Sequence, residues 1–412
     1  MRSLGRRTAA LVLACSLLTA GTAAGSGAPE KTDGGSEWSD PLPWLDLTAP
    51  DADGIVGGRV PLVEVRGRAG LGARSPVDVV LLFDVSDSTL YPSGMDVDRD
   101  GLLGRLSPNG TRNAFGELRP YSAWTTDSGD TVLAAEIEAA RRLLGRLEAV
   151  GTRVGLVSFA GRARELWPVG DVKGASRALA DVRPTPDSPG TNLGSGLRSA
   201  LRLLRRSAHE HGPGRRQVVI VLSDGHPTLP APAIHARSYA LSAAEVARAD
   251  GVRVYGYALG SDPEQAIVLE EMSSLSGGEF VHVQRVGEVV DHLPYADFGG
   301  IERVAMSNCS NDAEGRAVRL FGDGSFDGFV PLVAGENLIE VSVRTQQGIE
   351  LRTLRSIYYD AERDALRTED DLAQVLRVRT VETELATRVR QAHPPRHRDV
   401  RVDIDDGSVS TP

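Results

Sequence analysis

Two kinds of apolar pattern alternate along the chain. Between residues 76 and 297, uninterrupted apolar runs of strand length, "VDVVLLFDVS" (77–86), "TRVGLVSFA" (152–160), "RQVVIVLSDG" (216–225), "VRVYGYALG" (252–260) and "EFVHVQ" (279–284), alternate with helical stretches. The helix expected over 131–149 puts Leu133, Ile137, Ala140 and Leu144 on one face, and that over 192–210 aligns Leu197, Leu201 and Leu204. Further helices are expected at "VKGASRALADV" (172–182), 233–250 and "PEQAIVLEEMSSLSG" (263–277). Strands with no polar alternation are buried on both faces, which predicts an α/β fold: a doubly wound, mostly parallel sheet between helical layers.

On either side of this segment the period changes to two. Residues 44–75 alternate around Val60, Leu62, Val63 and Val65, and residues 298–360 carry short runs punctuated by "GDG", "AGEN" and "QQG". Neither stretch has enough strands for a sandwich alone. The two are expected to pair as a small β-sandwich with the α/β domain inserted between them, through strand contacts between residues 57–67 and 335–345; a short extension adding an edge strand to the α/β domain is the competing reading. Residues 361–393 read as a C-terminal helix, with Thr368 and Asp371 in capping-box spacing and Leu372, Leu376, Leu385 and Val389 as a partial stripe. Residues 394–412 read as a disordered tail.

The N-terminus reads as a targeting segment. Arg2, Arg6 and Arg7 precede an apolar stretch from Thr8 to Ala20, followed by small residues, so cleavage near Ala24 is expected, with 25–43 as a linker. No later apolar run is long enough to span a membrane. The mature chain is therefore expected to be exported, to the periplasm, the cell surface or the medium. Removal of Cys15 leaves Cys309, expected as a buried small hydrophobe. The formal net charge of −10 argues against a nucleic-acid partner, and the basic residues are Arg apart from Lys31 and Lys173.

The candidate chemistry lies where apolar runs end. The first run delivers Asp84, Ser86 and Ser88; Thr191 stands just before a helix; Asp224 ends the strand "VVIVLSDG". In parallel sheets, ligands bind at the carboxyl ends of strands. Hydroxyls with few carboxylates suit a hard cation such as Mg²⁺, which takes oxygen ligands and keeps several waters. The bland alternatives are a polar turn at 84–88, a helix cap at Thr191 and a turn at Asp224-Gly225.

"DVSDS" with Thr191 and Asp224 resembles the von Willebrand factor A family and its metal-ion-dependent adhesion site, over roughly residues 76–297. The resemblance implies that Ser86, Ser88 and Thr191 ligate Mg²⁺ or Mn²⁺ directly. Asp84 and Asp224 then orient waters, and the ion takes an Asp or Glu from a protein partner. The flanking strands resemble bacterial Ig-like modules, and integrin β chains show a similar insertion into a sandwich-like domain.

The chain departs from the compact family pattern by an insertion over residues 89–130. Within it, Asp96, Asp98, Asp100 and Gly101 match the first half of an EF-hand-type loop, in which Leu102 would offer its carbonyl. Ser107 stands where the bidentate Glu belongs, so a Ca²⁺ loop that recruits ligands elsewhere and an acidic turn both remain open. The insertion emerges beside Ser86 and Ser88, making Tyr121 and Trp124, with His226, candidates for a partner-binding rim; Arg198, Arg202, Arg205 and Arg206 form an Arg-rich face expected to favour an acidic partner.

The leading expectation is thus a secreted, metal-dependent adhesion protein. A structural or assembly subunit of the envelope is the alternative. An enzyme is disfavoured: Ser86, His226 and Asp224 lack a G-x-S-x-G elbow, and His209, His211 and "HPPRH" are too sparse for a zinc site.

Overall fold

The computed structural model describes residues 42–71, 76–107, 124–147, 152–185, 188–212, 214–260, 263–363 and 369–392. The expected targeting segment, the linker up to residue 41, Tyr121, Thr368 and the tail lie outside the described residues.

The strands of the α/β domain are β4 (Val77–Asp84), β5 (Arg153–Phe159), β6 (Ala163–Gly170), β7 (Arg216–Ser223), β8 (Arg253–Leu259) and β9 (Phe280–Val283), in the spatial order β6-β5-β4-β7-β8-β9. All neighbours are parallel except β5 and β6. Period-two alternation splits β4 between two cores. Val77, Val79, Leu81 and Phe83 pack with α1 (Val132–Leu147), α2 (Val172–Ala178) and α6 (Val289–His292). Val80 and Leu82 pack with α3 (Leu193–His211), α4 (Ala233–Ala249) and α5 (Pro263–Ser276). This two-sided burial is why the strand shows no polar alternation. Edge strand β6 escaped the pattern because it is only partly buried and contains Pro168, which an edge tolerates.

The remaining strands form two facing sheets. One runs β1 (Pro43–Ala49), β3 (Leu62–Leu71), β13 (Ser325–Pro331), β12 (Arg316–Leu320). The other runs β11 (Ala313–Glu314), β10 (Ile301–Asn308), β14 (Gly335–Thr345), β15 (Glu350–Asp360), β2 (Gly54–Gly57). Both mix strands from before and after the α/β domain: β3 pairs antiparallel with β13, Val63 opposite Val330, and β2 pairs parallel with β15, Ile55 opposite Tyr358. The contacts expected between 57–67 and 335–345 are made across the core and not by strand pairing, because β3 and β14 belong to opposite sheets. Val63, Val65, Phe326 and Val330 from one sheet meet Met306, Ile339, Val341 and Ile357 from the other in a common core, a sandwich-like arrangement.

Helix α7 (Glu369–Ala392) lies against this sandwich through polar anchors more than through its apolar stripe. Arg379 bonds Glu64 at 2.9 Å and stacks on Phe329, while Arg319 bonds Glu382 at 2.7 Å. Leu385, expected on the buried stripe, is exposed. Cys309 is also exposed rather than buried, because it stands in the turn that follows buried Asn308 at the end of β10. No helix among the described residues is long and apolar enough to cross a membrane.

Candidate metal centre

Strands β4 and β7 are neighbours with Phe83 opposite Leu222, so Asp84 and the Ser223-Asp224 pair leave the sheet at one carboxyl edge. Asp84 is fully buried, and both its oxygens are engaged: Oδ1 accepts the Ser86 N–H at 3.0 Å and Oδ2 accepts the Ser223 hydroxyl at 2.6 Å. Ser223 gave no signal in the sequence, where it reads as the last residue of a strand. The next residues curl into a short 3₁₀ helix, Asp87–Leu90. Ser86 occupies its N-cap position without a side-chain cap, which leaves the hydroxyl free for other work. That hydroxyl stands 3.1 Å from the Ser88 hydroxyl, which in turn donates to Asp224 Oδ1 at 2.8 Å.

Thr191 arrives from a third loop. Its N–H donates to Thr228 Oγ1 at 2.8 Å, and its carbonyl accepts the Thr228 N–H at 2.8 Å, which ties the 191 loop to the segment after β7. Asn192, not Thr191, caps α3, by accepting the Ser195 N–H at 3.0 Å. The bland reading of Thr191 as a helix cap therefore fails. Gly225 marks the convergence, because a Cβ built there would stand 3.7 Å from Ser88 Oγ and 3.9 Å from Thr191 Oγ1. Asp84, Ser86, Ser88, Thr191 and Asp224 meet at one edge.

Both carboxylates of this cluster are shifted upward from the usual carboxylate range. Burial, and then the neighbouring Asp84, push the Asp224 carboxyl up to about 7. Burial likewise raises Asp84, against the hydrogen bonds from Ser223 and Ser86 that lower it. An all-oxygen donor set with two desolvated carboxylates suits a hard divalent cation. As a nucleophile Ser86 has the wrong neighbour: its hydroxyl meets Ser88.

Of the residues expected at a partner-binding rim, Trp124 and His226 are among those described. Trp124 is brought to the loop by its N–H bond to the Leu90 carbonyl at 2.8 Å, and its ring stacks on Tyr91 at 6.2 Å between centroids. His226 is exposed, two residues beyond Asp224. The Arg-rich face of α3 is internally paired instead of free. Arg202 and Arg206 share Glu165, Arg205 bonds Asp250 at 2.7 Å, and Arg198 lies over Tyr239.

In the insertion, ligand atoms of Asp96, Asp98 and Asp100 lie within 4.8 Å of one another. Asp96 accepts the Gly101 N–H at 3.1 Å, Asp98 the Asp100 N–H at 3.2 Å and Asp100 the Leu102 N–H at 2.7 Å. Buried Asp130 accepts Val97 and Gly104 N–H groups, each at 2.6 Å, which clamps this loop against the start of α1. A Cβ at Gly129 would stand 2.1 Å from Asp98 Oδ2, so any side chain there would push the Asp98 carboxylate aside.

Residues 127–292 match the family model described as the von Willebrand factor type A domain. The match begins after the loop that carries Asp84, Ser86 and Ser88. No curated protein matches the chain. Among solved structures, a conserved hypothetical protein BatB from Bacteroides thetaiotaomicron is 18% identical, covering 53% of this chain and 98% of its own, at a TM-score of 0.35. A von Willebrand factor type A protein from Catenulispora acidiphila is 15% identical, covering 82% and 79%, at 0.36. Proximal thread matrix protein 1 of the mussel byssus, in a form with a zinc-occupied MIDAS motif, is 18% identical, covering 54% and 47%, at 0.36. The family match and the mostly parallel sheet together give this part of the chain a von Willebrand factor type A domain.

Proposed function

We propose that this is an exported binding protein whose type A domain holds a divalent cation, Mg²⁺ or Mn²⁺, and uses it to capture an Asp or Glu side chain of a protein partner. The observation that carries the reading is the convergence of three hydroxyls and Asp224 around Gly225, beside a buried Asp84. Ser86, Ser88 and Thr191 would ligate the ion directly. Asp84, whose oxygens already accept two hydrogen bonds, would act through the ion's waters, as would Asp224. A cation held by neutral hydroxyls keeps most of its charge and supplies an electrophilic position for an incoming carboxylate. The Tyr91–Trp124 stack and His226 would then form the partner's contact rim.

Asp96, Asp98, Asp100 and the Leu102 carbonyl are proposed to hold a Ca²⁺ ion that stiffens the insertion beside this rim. The clustered carboxylates and the turn built on them support it. An assembly subunit with a purely scaffolding type A domain differs from this reading in needing no metal. The test is calorimetric titration of the mature chain with Mg²⁺, Mn²⁺ and Ca²⁺ beside an Asp84→Ala/Asp224→Ala variant. Saturable Mg²⁺ or Mn²⁺ binding that disappears in the variant is expected; equal titrations of the two proteins would refute the site.

A further inference from the structure

Helix α1 carries a carboxylate where its pattern calls for an apolar side chain. Glu136 lies one turn from Val132, Leu133, Ala139 and Ala140, all buried in the core that also contains Phe83 and Val85. Its residue exposure is 0%, and among the described residues neither carboxylate oxygen has a hydrogen-bond partner. Asp84 and Asp224 are both within electrostatic reach, and after burial they are the causes that push its carboxyl well above the usual range. An orphaned buried acid costs several kcal/mol, and native cores rarely keep one without a use. Leu or Met would satisfy the helix stripe at no such cost.

We propose that Glu136 is an outer carboxylate of the metal centre, reaching from α1 to accept hydrogen bonds from the waters of the bound cation. This inference rests on the metal reading of the site and adds a residue that the five-residue motif does not contain. Three facts converge on it. Each Asp84 oxygen already accepts one hydrogen bond, from Ser86 or Ser223, so fewer of its acceptor sites are left for the ion's waters. Mg²⁺ keeps several waters that need acceptors. Glu136 has two acceptor oxygens without a donor, on the helix face that packs with Phe83 and Val85, the neighbours of Asp84 in the chain. Glu136 is therefore a positioning residue, satisfied when the ion is present and unsatisfied when it is absent.

The role has a signature that packing alone does not produce. Removing the acid should stabilise the metal-free protein and weaken its hold on metal at the same time. The experiment measures the full mature chain, Glu136→Gln and Glu136→Leu, by thermal unfolding in EDTA and by Mg²⁺ and Mn²⁺ titration. The expected result is an equal or higher metal-free Tm in both variants, with Mg²⁺ affinity reduced about 10- to 100-fold, the range seen when outer partners of metal ligands are removed. If the parent chain binds Mg²⁺ and both variants bind it equally well, the role of Glu136 is overturned while the five-residue site stands. A fall in metal-free Tm alongside the affinity would mark a structural residue and also overturn it. If the parent chain shows no Mg²⁺ or Mn²⁺ binding, the centre and the role of Glu136 fall together.

Discussion

At the scale of single residues, the candidate centre gathers carboxylates with little access to water: Asp84 is fully buried and Asp224 half-buried. Asp224, raised to about 7 from an ordinary 3.8 by burial and then by Asp84, is the group whose titration is accessible. Its folded-state value lies above its unfolded one. The folded chain therefore holds this proton more tightly, and the resulting stability is complete below about pH 4 and lost as pH rises through about 7. In EDTA, the Tm of the metal-free protein should fall across that window, and Asp224→Asn should flatten the decline. Metal competes with the same proton. Mg²⁺ affinity should rise by up to about tenfold per pH unit below 7 and level off above it. An affinity independent of pH between 5.5 and 8 would contradict the placement of Asp224 in the centre. A subtler change is Ser88→Ala, which removes the hydroxyl between Ser86 and Asp224 and should abolish Mg²⁺ binding with little change in far-UV circular dichroism.

Asp84, Ser86, Ser88 and Asp224 were legible because they follow or end apolar runs, whereas Thr191, just before α3, was singled out through the family resemblance. Their supporting partners were not legible. Ser223 and Thr228 belong to the site only through register and loop contact, which no spacing reveals. Glu136 could have been noticed. It follows Val132 by four residues and precedes Ala140 by four, inside the stripe, but a stripe drawn through Ile137 places it one step off the buried face.

At the scale of elements, strand and helix order in the α/β domain was readable because two-sided burial erases polar alternation. Strand β6 was missed for the opposite reason, as an edge strand interrupted by Pro168. The insertion shows how local turns and tertiary clamps combine: Asp130 holds two of its backbone N–H groups, and Asp98 rests on Gly129. If the 96–102 loop takes Ca²⁺, Asp98→Ala/Asp100→Ala should remove the Ca²⁺ heat and leave the Mg²⁺ heat intact. Loss of both signals would mean that the two sites are not separate. Helix α7 makes a different prediction. Its Arg379 side chain is only 13% exposed between Glu64 and Phe329, so Arg379→Ala removes one ion-pair partner of Glu64 and the contact with the Phe329 ring. The cost should be about 3–5 kcal/mol if the pair behaves as a buried one, and less to the extent that water reaches it. Limited proteolysis should cut α7 faster in this variant, and unchanged cleavage would argue that the helix is held by something else.

At the scale of the whole molecule, the strands on either side of the type A domain share two sheets. Period-two patterning announced strands in both flanks, but their partners depend on which sheet each strand joins, and alternation does not encode that. β3 joins β13 and β2 joins β15, across more than two hundred residues of intervening chain. Hydrogen exchange should therefore find the amides of β3 and β13 opening together; exchange of β3 in step with β4 would contradict the pairing. A domain presented from such a sandwich has both its flanking segments anchored in one body, an arrangement that would suit the proposed binding role. The central claim is that Ser86, Ser88 and Thr191 hold a divalent cation at the carboxyl edge of the parallel strands, and the most direct measurement is anomalous diffraction from crystals of the mature chain grown with Mn²⁺. The account predicts a peak at oxygen-ligand distance, about 2.1 Å for an ion of this class, from the Ser86 and Ser88 hydroxyls, with Asp84, Asp224 and Glu136 bonded to its waters. Ordered density for the loop with no peak between those hydroxyls, at a Mn²⁺ concentration that fills the Asp96–Asp100 loop, would contradict it.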